Sequence, residues 1–216
     1  LVTFGVDRLA RPFGNAVVVE TMDGYIPFLI RSHYTGEGSG AAVLPGGHPE
    51  PSEIGISDDD SDEDHQYGST SAAEDVDDQD VCDELWNAAR REVIEELFVP
   101  DERLSRVHDM RLLGIVSREA DEKALMAVWA ALGMSAEAVR ATYLAGISNA
   151  DESVNVVFVP IADLSKVTTS GKVGGIKVMP DHMGTLALAS DYFAWRAAQP
   201  DCPDAAQPHR LHDRNP

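Results

Sequence analysis

Three glutamates on one short segment are the residues of this chain best suited to chemistry. Glu92, Glu95 and Glu96 occupy positions i, i+3 and i+4 of the segment Arg91-Glu92-Val93-Ile94-Glu95-Glu96. In a helix this spacing places the three carboxylates on one face, about 5 to 6 Å apart. Like charges this close repel each other, and a bound divalent cation with oxygen ligands, such as Mg²⁺ or Mn²⁺, would relieve the repulsion. Taken alone, the triplet is more simply explained as a row of solvated glutamates on an amphipathic helix.

A glycine pair upstream is the second unusual feature. The segment reads Leu44-Pro45-Gly46-Gly47-His48-Pro49-Glu50-Pro51. Glycine lets the backbone turn tightly, which can bring a carbonyl oxygen toward a metal ion. The segment therefore predicts a tight turn that could complete a cation site.

Together the two segments resemble the Nudix box, which reads Gly, five residues, Glu, seven residues, Arg-Glu, an aliphatic residue, any residue, Glu-Glu, any residue, Gly and an aliphatic residue. Glu53 follows Gly47 after five residues, as the box requires. The match then breaks, because 37 residues separate Glu53 from Arg91. We interpret the excess as an insertion, since long surface insertions cost little closure entropy. Either Glu53 or Asp83, which is eight residues before Arg91, would fill the first-Glu position. Phe98 stands where the box has its last Gly, so the end of the helix is not fixed by the pattern.

Within this superfamily the chain resembles the UDP-glucose and UDP-galactose diphosphatase branch of animals. The resemblance rests on the Gly-Gly-His-Pro-Glu-Pro string, the interrupted box, Leu112-Leu113-Gly114-Ile115, the segment Ser135 to Gly146, and Asp151-Glu152-Ser153 before an apolar strand. It implies an α/β protein with the Nudix fold, an α/β/α sandwich with a central mixed β-sheet. It also implies metal-dependent hydrolysis of a UDP-sugar to UMP and hexose 1-phosphate.

The same resemblance assigns the metal ligands and the ion pair. Glu92, Glu95 and Glu96 would hold Mg²⁺ or Mn²⁺, and a carbonyl of Gly46 or Gly47 would complete the site. Arg91 would hold the loop and the helix together by pairing with Asp83 or Glu53.

The remaining site residues are assigned by mechanism. A carboxylate must accept the proton of the attacking water, and the candidates are Glu96, Glu95 and Glu152. Arg118 could contact a phosphate or the sugar, although an ordinary surface arginine is the simpler interpretation. His48 could contact the substrate, or it could be a turn residue fixed by the two flanking prolines.

Hydrophobic periodicity predicts the elements that must position these residues. The runs Ala16 to Glu20 and Tyr25 to Ile30, separated by Met22-Asp23-Gly24, predict a β-hairpin. The apolar spacing from Asp83 to Leu97 predicts the helix that carries the glutamates. Further predicted elements are strands at Leu112 to Val116, Ala124 to Ala131 and Val154 to Val159, a helix that Ser135 caps and that runs through Tyr143, and a closing helix from Pro180 or Asp181 to about Ala198.

Composition predicts one domain over residues 1–200, an acidic disordered insertion at about 53–80, and a disordered tail at 201–216. The net charge is −20, and residues 53–80 hold twelve Asp or Glu but no Lys or Arg. No basic cluster is present, which disfavours a nucleic-acid partner. No apolar run is long enough to predict a membrane span, and two cysteines favour a reducing compartment, so we expect a cytoplasmic protein. The family resemblance implies a small nucleotide sugar as its partner.

Three other functions fit parts of the pattern. The first is a Nudix diphosphatase of another nucleoside diphosphate derivative, of the ADP-sugar or coenzyme A type. The second is a non-catalytic nucleotide-binding Nudix module, which the intact carboxylate triplet disfavours. The third is an interaction protein that acts through its acidic segment. The sequence leaves the oligomeric state and the uracil-recognition residues open.

Overall fold

The computed structural model describes residues 13–33, 38–56, 76–118, 123–147 and 153–199. Most of the expected acidic insertion, the expected tail and Glu152 lie outside these ranges. In chain order the strands and helices are β1 (Phe13–Thr21), β2 (Tyr25–Arg31), β3 (Ala42–Val43), α1 (Asp78–Leu97), β4 (Arg111–Ser117), β5 (Ala124–Leu132), α2 (Ala136–Gly146), β6 (Ser153–Pro160), α3 (Leu164–Ser170), β7 (Lys172–Val173), β8 (Ile176–Lys177) and α4 (Pro180–Ala198). The helix and strand positions predicted from Leu112 onward are confirmed, with ends that differ by at most three residues.

The main strands form two three-stranded sheets. One sheet has the order β1-β5-β4, with β1 parallel to β5 and β4 antiparallel to β5. The other has the order β3-β2-β6 and is antiparallel throughout. The hairpin predicted from β1 and β2 is therefore wrong, because the two strands belong to different sheets. Each strand is buried on both faces, so its apolar run carried no signal about which strand lies beside it.

The expected α/β/α sandwich is confirmed, and alternation along β1 shows its layers. Val17 and Val19 pack with residues of α1 and α2, whereas Ala16 and Val18 pack with residues of α3 and α4. Strand residues of opposite parity face opposite sides of a sheet, so α1 and α4 lie on opposite faces of β1. No helix in the described ranges is long and apolar enough to cross a membrane.

Helix α1 begins five residues before the predicted start at Asp83. Asp77 caps it by accepting a hydrogen bond from the Asp80 backbone N–H, and Asp78 and Asp80 occupy the first turn. Carboxylates are favourable there because the N-terminus of a helix carries partial positive charge. The end of the acidic stretch therefore forms helix, and the prediction that the disordered insertion extends over residues 78–80 is wrong.

The end of α1 accommodates the departure from the Nudix box at Phe98. Phe98 adopts the left-handed conformation with φ 52°, which glycine usually occupies at this position. Its ring lies 6.1 Å from that of Tyr143, and it covers Gly146 so closely that a side chain on Gly146 would overlap it. Packing on α2 therefore offsets the unfavourable backbone conformation.

Candidate active site

The segment from Leu44 to Glu50, here called the glycine loop, runs as an extended chain along β1. The backbone N–H groups of Val17 and Asn15 donate to the carbonyl oxygens of Pro45 and Gly47, at 2.8 and 2.9 Å. Gly46 has φ 156°, and a side chain there would collide with the backbone of Asn15. The first glycine is therefore required by the close approach of two backbones.

Every backbone N–H of the glycine loop donates to a side chain. Pro45 and Pro49 have no N–H to donate. The five bonds are Leu44 N to His182 Nδ1 at 3.2 Å, Gly46 N to Glu96 Oε2 at 2.8 Å, Gly47 N to Asn15 Oδ1 at 3.2 Å, His48 N to Glu92 Oε1 at 3.3 Å, and Glu50 N to Glu84 Oε1 at 2.9 Å. Three of the five acceptors are carboxylates on α1, so that helix holds the loop along most of its length.

Arg91 forms its ion pair with Glu84, so the predicted pair with Asp83 is wrong. The Arg91 Nη2 to Glu84 Oε1 distance is 2.9 Å, and Glu50 Oε1 lies 3.7 Å from the same nitrogen. Asp83 is exposed and accepts a bond from Gln79 instead. Glu84 precedes Arg91 by seven residues, about two helical turns, so both lie on one face. The Glu84 hydrogen bond, followed by the neighbouring carboxylates, raises the pKa of Arg91 despite partial burial.

Glu84, and not Glu53, makes the short ion pair with Arg91. Glu53 lies on an exposed single turn of 3₁₀-helix at Pro51–Ile54, and its backbone N–H donates to the Glu50 carbonyl. Glu84 is buried with 6% exposure, and one of its oxygens accepts from both the Glu50 backbone and Arg91. It thereby joins the glycine loop to α1.

The three predicted metal ligands differ in their surroundings. Glu92 and Glu96 are partly buried and face the glycine loop, whereas Glu95 is exposed. Within the described residues, no group of three acidic, histidine or cysteine side chains converges on one point. The donors are carboxylate and carbonyl oxygens, which fit Mg²⁺ or Mn²⁺ in kind. A cation would therefore have to draw the three carboxylates together as it binds.

The two candidate carbonyl ligands are not equivalent. The Gly47 carbonyl already accepts a hydrogen bond from Asn15 N. No donor in the described part of the chain is bonded to the Gly46 carbonyl. Gly47 itself lies against the Glu92 carboxylate, which a side chain at position 47 would overlap. The geometry therefore favours Gly46 over Gly47 as the backbone ligand.

Of the two predicted substrate residues that the structure describes, His48 belongs to the glycine loop, whereas Arg118 lies just after β4. His48 is exposed, and partial desolvation together with the positive charge of Lys123 lowers its pKa. Arg118 directly follows β4 and is partly buried, and its backbone N–H donates to the Lys123 carbonyl at 2.9 Å. The effect of Lys123 on the pKa of His48 indicates that a positive charge lies close to the glycine loop. Glu152 lies outside the described residues.

Three residues that the sequence did not single out hold the loop in place. Glu84 could have been recognised from its spacing of two helical turns to Arg91. Asn15 is a polar residue within the buried strand β1, with 4% exposure, which is itself a signal. In the described structure its Nδ2 has no hydrogen-bond partner. His182 carried no local signal, because its contact with Leu44 spans 138 residues of sequence.

Comparison with known proteins places the chain near one enzyme family. No known protein-family model matches it. The uridine diphosphate glucose pyrophosphatase NUDT22 of Bos taurus is 30% identical over 152 residues, which cover 70% of this chain and 48% of that protein. Nudix hydrolase 9 of Arabidopsis thaliana is 36% identical over 115 residues, which cover 53% of this chain and 34% of that protein. The chain thus spans about half the length of the first relative and about a third of the second.

Solved structures include similar chains as well. A Nudix hydrolase from Alicyclobacillus acidocaldarius superposes with a TM-score of 0.48 and 12% sequence identity. The superposition covers 83% of this chain and 91% of that chain.

Proposed function

Because this chain is related to the Nudix hydrolases and resembles their uridine diphosphate glucose pyrophosphatases, we propose that it hydrolyses the diphosphate bond of a UDP-sugar with the help of a divalent cation. The products would be UMP and a hexose 1-phosphate. UDP-glucose and UDP-galactose are the first substrates to test, since the relatives' name refers to UDP-glucose.

The orientation of the glycine loop supports this proposal most directly. Glycine-rich loops that bind phosphate do so with their backbone N–H groups. In this chain all five N–H groups of the glycine loop donate to protein side chains. The Gly46 carbonyl oxygen accepts no hydrogen bond from the described residues, and carbonyl oxygens attract cations. The loop is therefore suited to a cation next to the glutamates, and a poor direct binder of phosphate.

In this proposal Glu92, Glu95, Glu96 and the Gly46 carbonyl hold Mg²⁺ or Mn²⁺. The bound cation would neutralise charge on the diphosphate and lower the pKa of the attacking water. Glu95, which is exposed, can face solvent and accept the proton that this water loses. Glu96 and Glu152 remain the other candidate bases.

The bond changes are those of a simple hydrolysis. The water oxygen forms a bond to one phosphorus atom while the bond from that phosphorus to the bridging oxygen breaks. The bridging oxygen leaves with the other product, and a carboxylate takes the proton from the water. Arg118 and His48 are proposed to contact the phosphates or the sugar, because an acidic protein needs cationic groups to hold an anionic substrate.

The test is turnover of UDP-, ADP- and GDP-sugars with Mg²⁺. Turnover is monitored as the inorganic phosphate that a coupled phosphatase releases from the products. The Glu95→Gln and Glu96→Gln double variant should lose metal-dependent turnover. Glutamine at position 96 still offers an oxygen to the Gly46 N–H, so loss would report on charge more than on loop position. Asp83→Asn, the same change on an exposed residue of α1, is the matched control and should retain activity. Faster turnover of ADP-sugars than of UDP-sugars would contradict the proposed substrate.

A second candidate, a nucleotide-binding module without catalysis, is favoured by one observation. No three metal-binding side chains converge within the described residues. A titration with Mn²⁺, in which electron paramagnetic resonance measures the bound fraction of the metal, separates the two candidates. Saturable binding that the double variant abolishes supports the enzyme. Absence of binding together with absence of turnover supports the module.

A further inference from the structure

We propose that His182, near the start of α4, is a positioning residue that fixes where the glycine loop begins. The inference rests on the proposed function, because the loop matters only if the Gly46 carbonyl and the glutamates form the reactive site. His182 touches neither of them, so its effect would pass through the backbone of Leu44.

The contact between His182 and the loop is buried and specific. His182 is 9% exposed, and its Nδ1 accepts the Leu44 backbone N–H at 3.2 Å. Leu44 is itself 1% exposed, so neither partner exchanges this bond easily for water. A buried N–H without an acceptor is costly, which ties Leu44 to the imidazole.

Leu44 also carries the last backbone N–H before Gly46. Strand β3 ends at Val43, and Pro45 has no N–H. The Pro45 carbonyl is bonded to β1, but that bond does not determine how far the chain lies from α4. The Met179 N–H, just before α4, donates to the Ala42 carbonyl at 3.0 Å, and the Leu44 N–H is the second bond between this segment and α4 and the one nearer to Gly46.

The contact requires a neutral imidazole with its proton on Nε2, because Nδ1 must accept. The pKa of His182 is lowered to about 4, mainly by burial and to a smaller extent by the positive charges of Lys123 before β5 and Arg31 at the end of β2. Asp181, the neighbouring residue on α4, acts in the opposite direction. At neutral pH these surroundings keep Nδ1 available as an acceptor.

Two variants separate the hydrogen bond from the shape of the side chain. His182→Phe keeps a ring of similar size and removes the acceptor. His182→Asn loses the ring, but its Oδ1 can take the place of Nδ1. Ser190→Ala is the control on the same helix, since the Ser190 hydroxyl donates to the Leu186 carbonyl within α4.

The measurements are Mn²⁺ affinity by electron paramagnetic resonance and kcat and KM for UDP-glucose. We expect His182→Phe to weaken Mn²⁺ binding and lower kcat by roughly 10- to 100-fold, the usual effect of removing a residue that supports a metal site without binding the metal. His182→Asn should recover most of both values, and Ser190→Ala should resemble the wild-type protein. Equal losses in the Phe and Asn variants, or recovery by Phe, would overturn the proposal, because packing would then be the role of His182.

A measurement on the wild-type protein remains decisive if a variant fails to fold. Long-range ¹H–¹⁵N correlation spectra report which imidazole nitrogen carries the proton. A proton on Nε2 at neutral pH supports the proposal, and a proton on Nδ1 overturns it. If the wild-type protein binds Mn²⁺ without turning over UDP-glucose, the proposed substrate fails while the positioning role is still tested by metal affinity. If it binds no metal, the cation site fails and the role of His182 in catalysis fails with it.

Discussion

Replacing Glu84 with alanine should destabilise the protein, whereas the same change at Asp83 should have little effect. The two carboxylates are adjacent in sequence, but they differ in every contact. Glu84 Oε1 accepts from Glu50 N and from Arg91 Nη2, both at 2.9 Å. Asp83 is exposed, with a bond to Gln79 alone among the described residues. The pair of variants therefore compares a buried clamp with a surface carboxylate on the same helix.

The expected magnitude follows from what each partner loses. Hydrogen bonds to charged groups contribute about 1.5 to 3 kcal/mol each. The Arg91 side chain is 28% exposed and keeps Glu50 at 3.7 Å, so water and Glu50 would recover part of its interaction. We therefore expect a net loss of about 2 kcal/mol for Glu84→Ala, less than the sum of two such bonds. In a protein of this size that corresponds to a fall in Tm of about 4 to 8 °C. Asp83→Ala should change the free energy of unfolding by less than about 0.5 kcal/mol.

Urea unfolding followed by circular dichroism measures both variants, and Arg91→Met completes a double-mutant cycle. Because Glu84 and Arg91 touch, the double variant should lose less than the sum of the single losses. Hydrogen exchange of the Glu50 amide should accelerate in Glu84→Ala. An Asp83→Ala variant as unstable as Glu84→Ala, or additive losses in the cycle, would refute the assignment of Glu84.

Two further predictions concern α4. Glu20→Gln should lower the free energy of unfolding by about 3 kcal/mol, because it leaves Arg196 charged and nearly buried among aromatic rings. In the same urea experiment, Asp163→Asn, which breaks the exposed pair with Lys166, should lower it by less than about 0.5 kcal/mol. The pKa of His182 is lower in the folded protein than its ordinary value of 6.5, so its contribution to stability should be complete above pH 6.5 and decline as the pH falls toward about 4, with a shallower decline in His182→Asn.

The helices were largely predictable because local signals define them. Ser135 caps α2, and Pro180 begins α4, as expected from sequence. The start of α1 was missed because its acidic first turn has the composition of a disordered segment, while the same residues are favourable at a helix N-terminus. The composition of this turn indicated disorder, whereas its position at a helix N-terminus favours helix, and the structure shows a helix capped by Asp77.

Strand pairing and the loop contacts were not predictable from local patterns. Strand β1 pairs with β5, over a hundred residues away, although β2 follows it after a three-residue turn. The spacing of the carboxylates correctly indicated that Glu92 and Glu96 share a face, and the structure turns that face toward the loop amides. The acceptors Asn15 and His182 come from distant elements, so no window of sequence could show that they contact the glycine loop.

The clamp formed by Glu84 has an evolutionary consequence. It ties Glu50, before the acidic stretch, to α1, after it, so the residues on either side of this stretch are held together. Natural selection could then lengthen, shorten or replace the intervening stretch without disturbing the glycines or the glutamates. A guest domain could be inserted at the same place in protein engineering, and urea unfolding would report whether the inserted domain is tolerated.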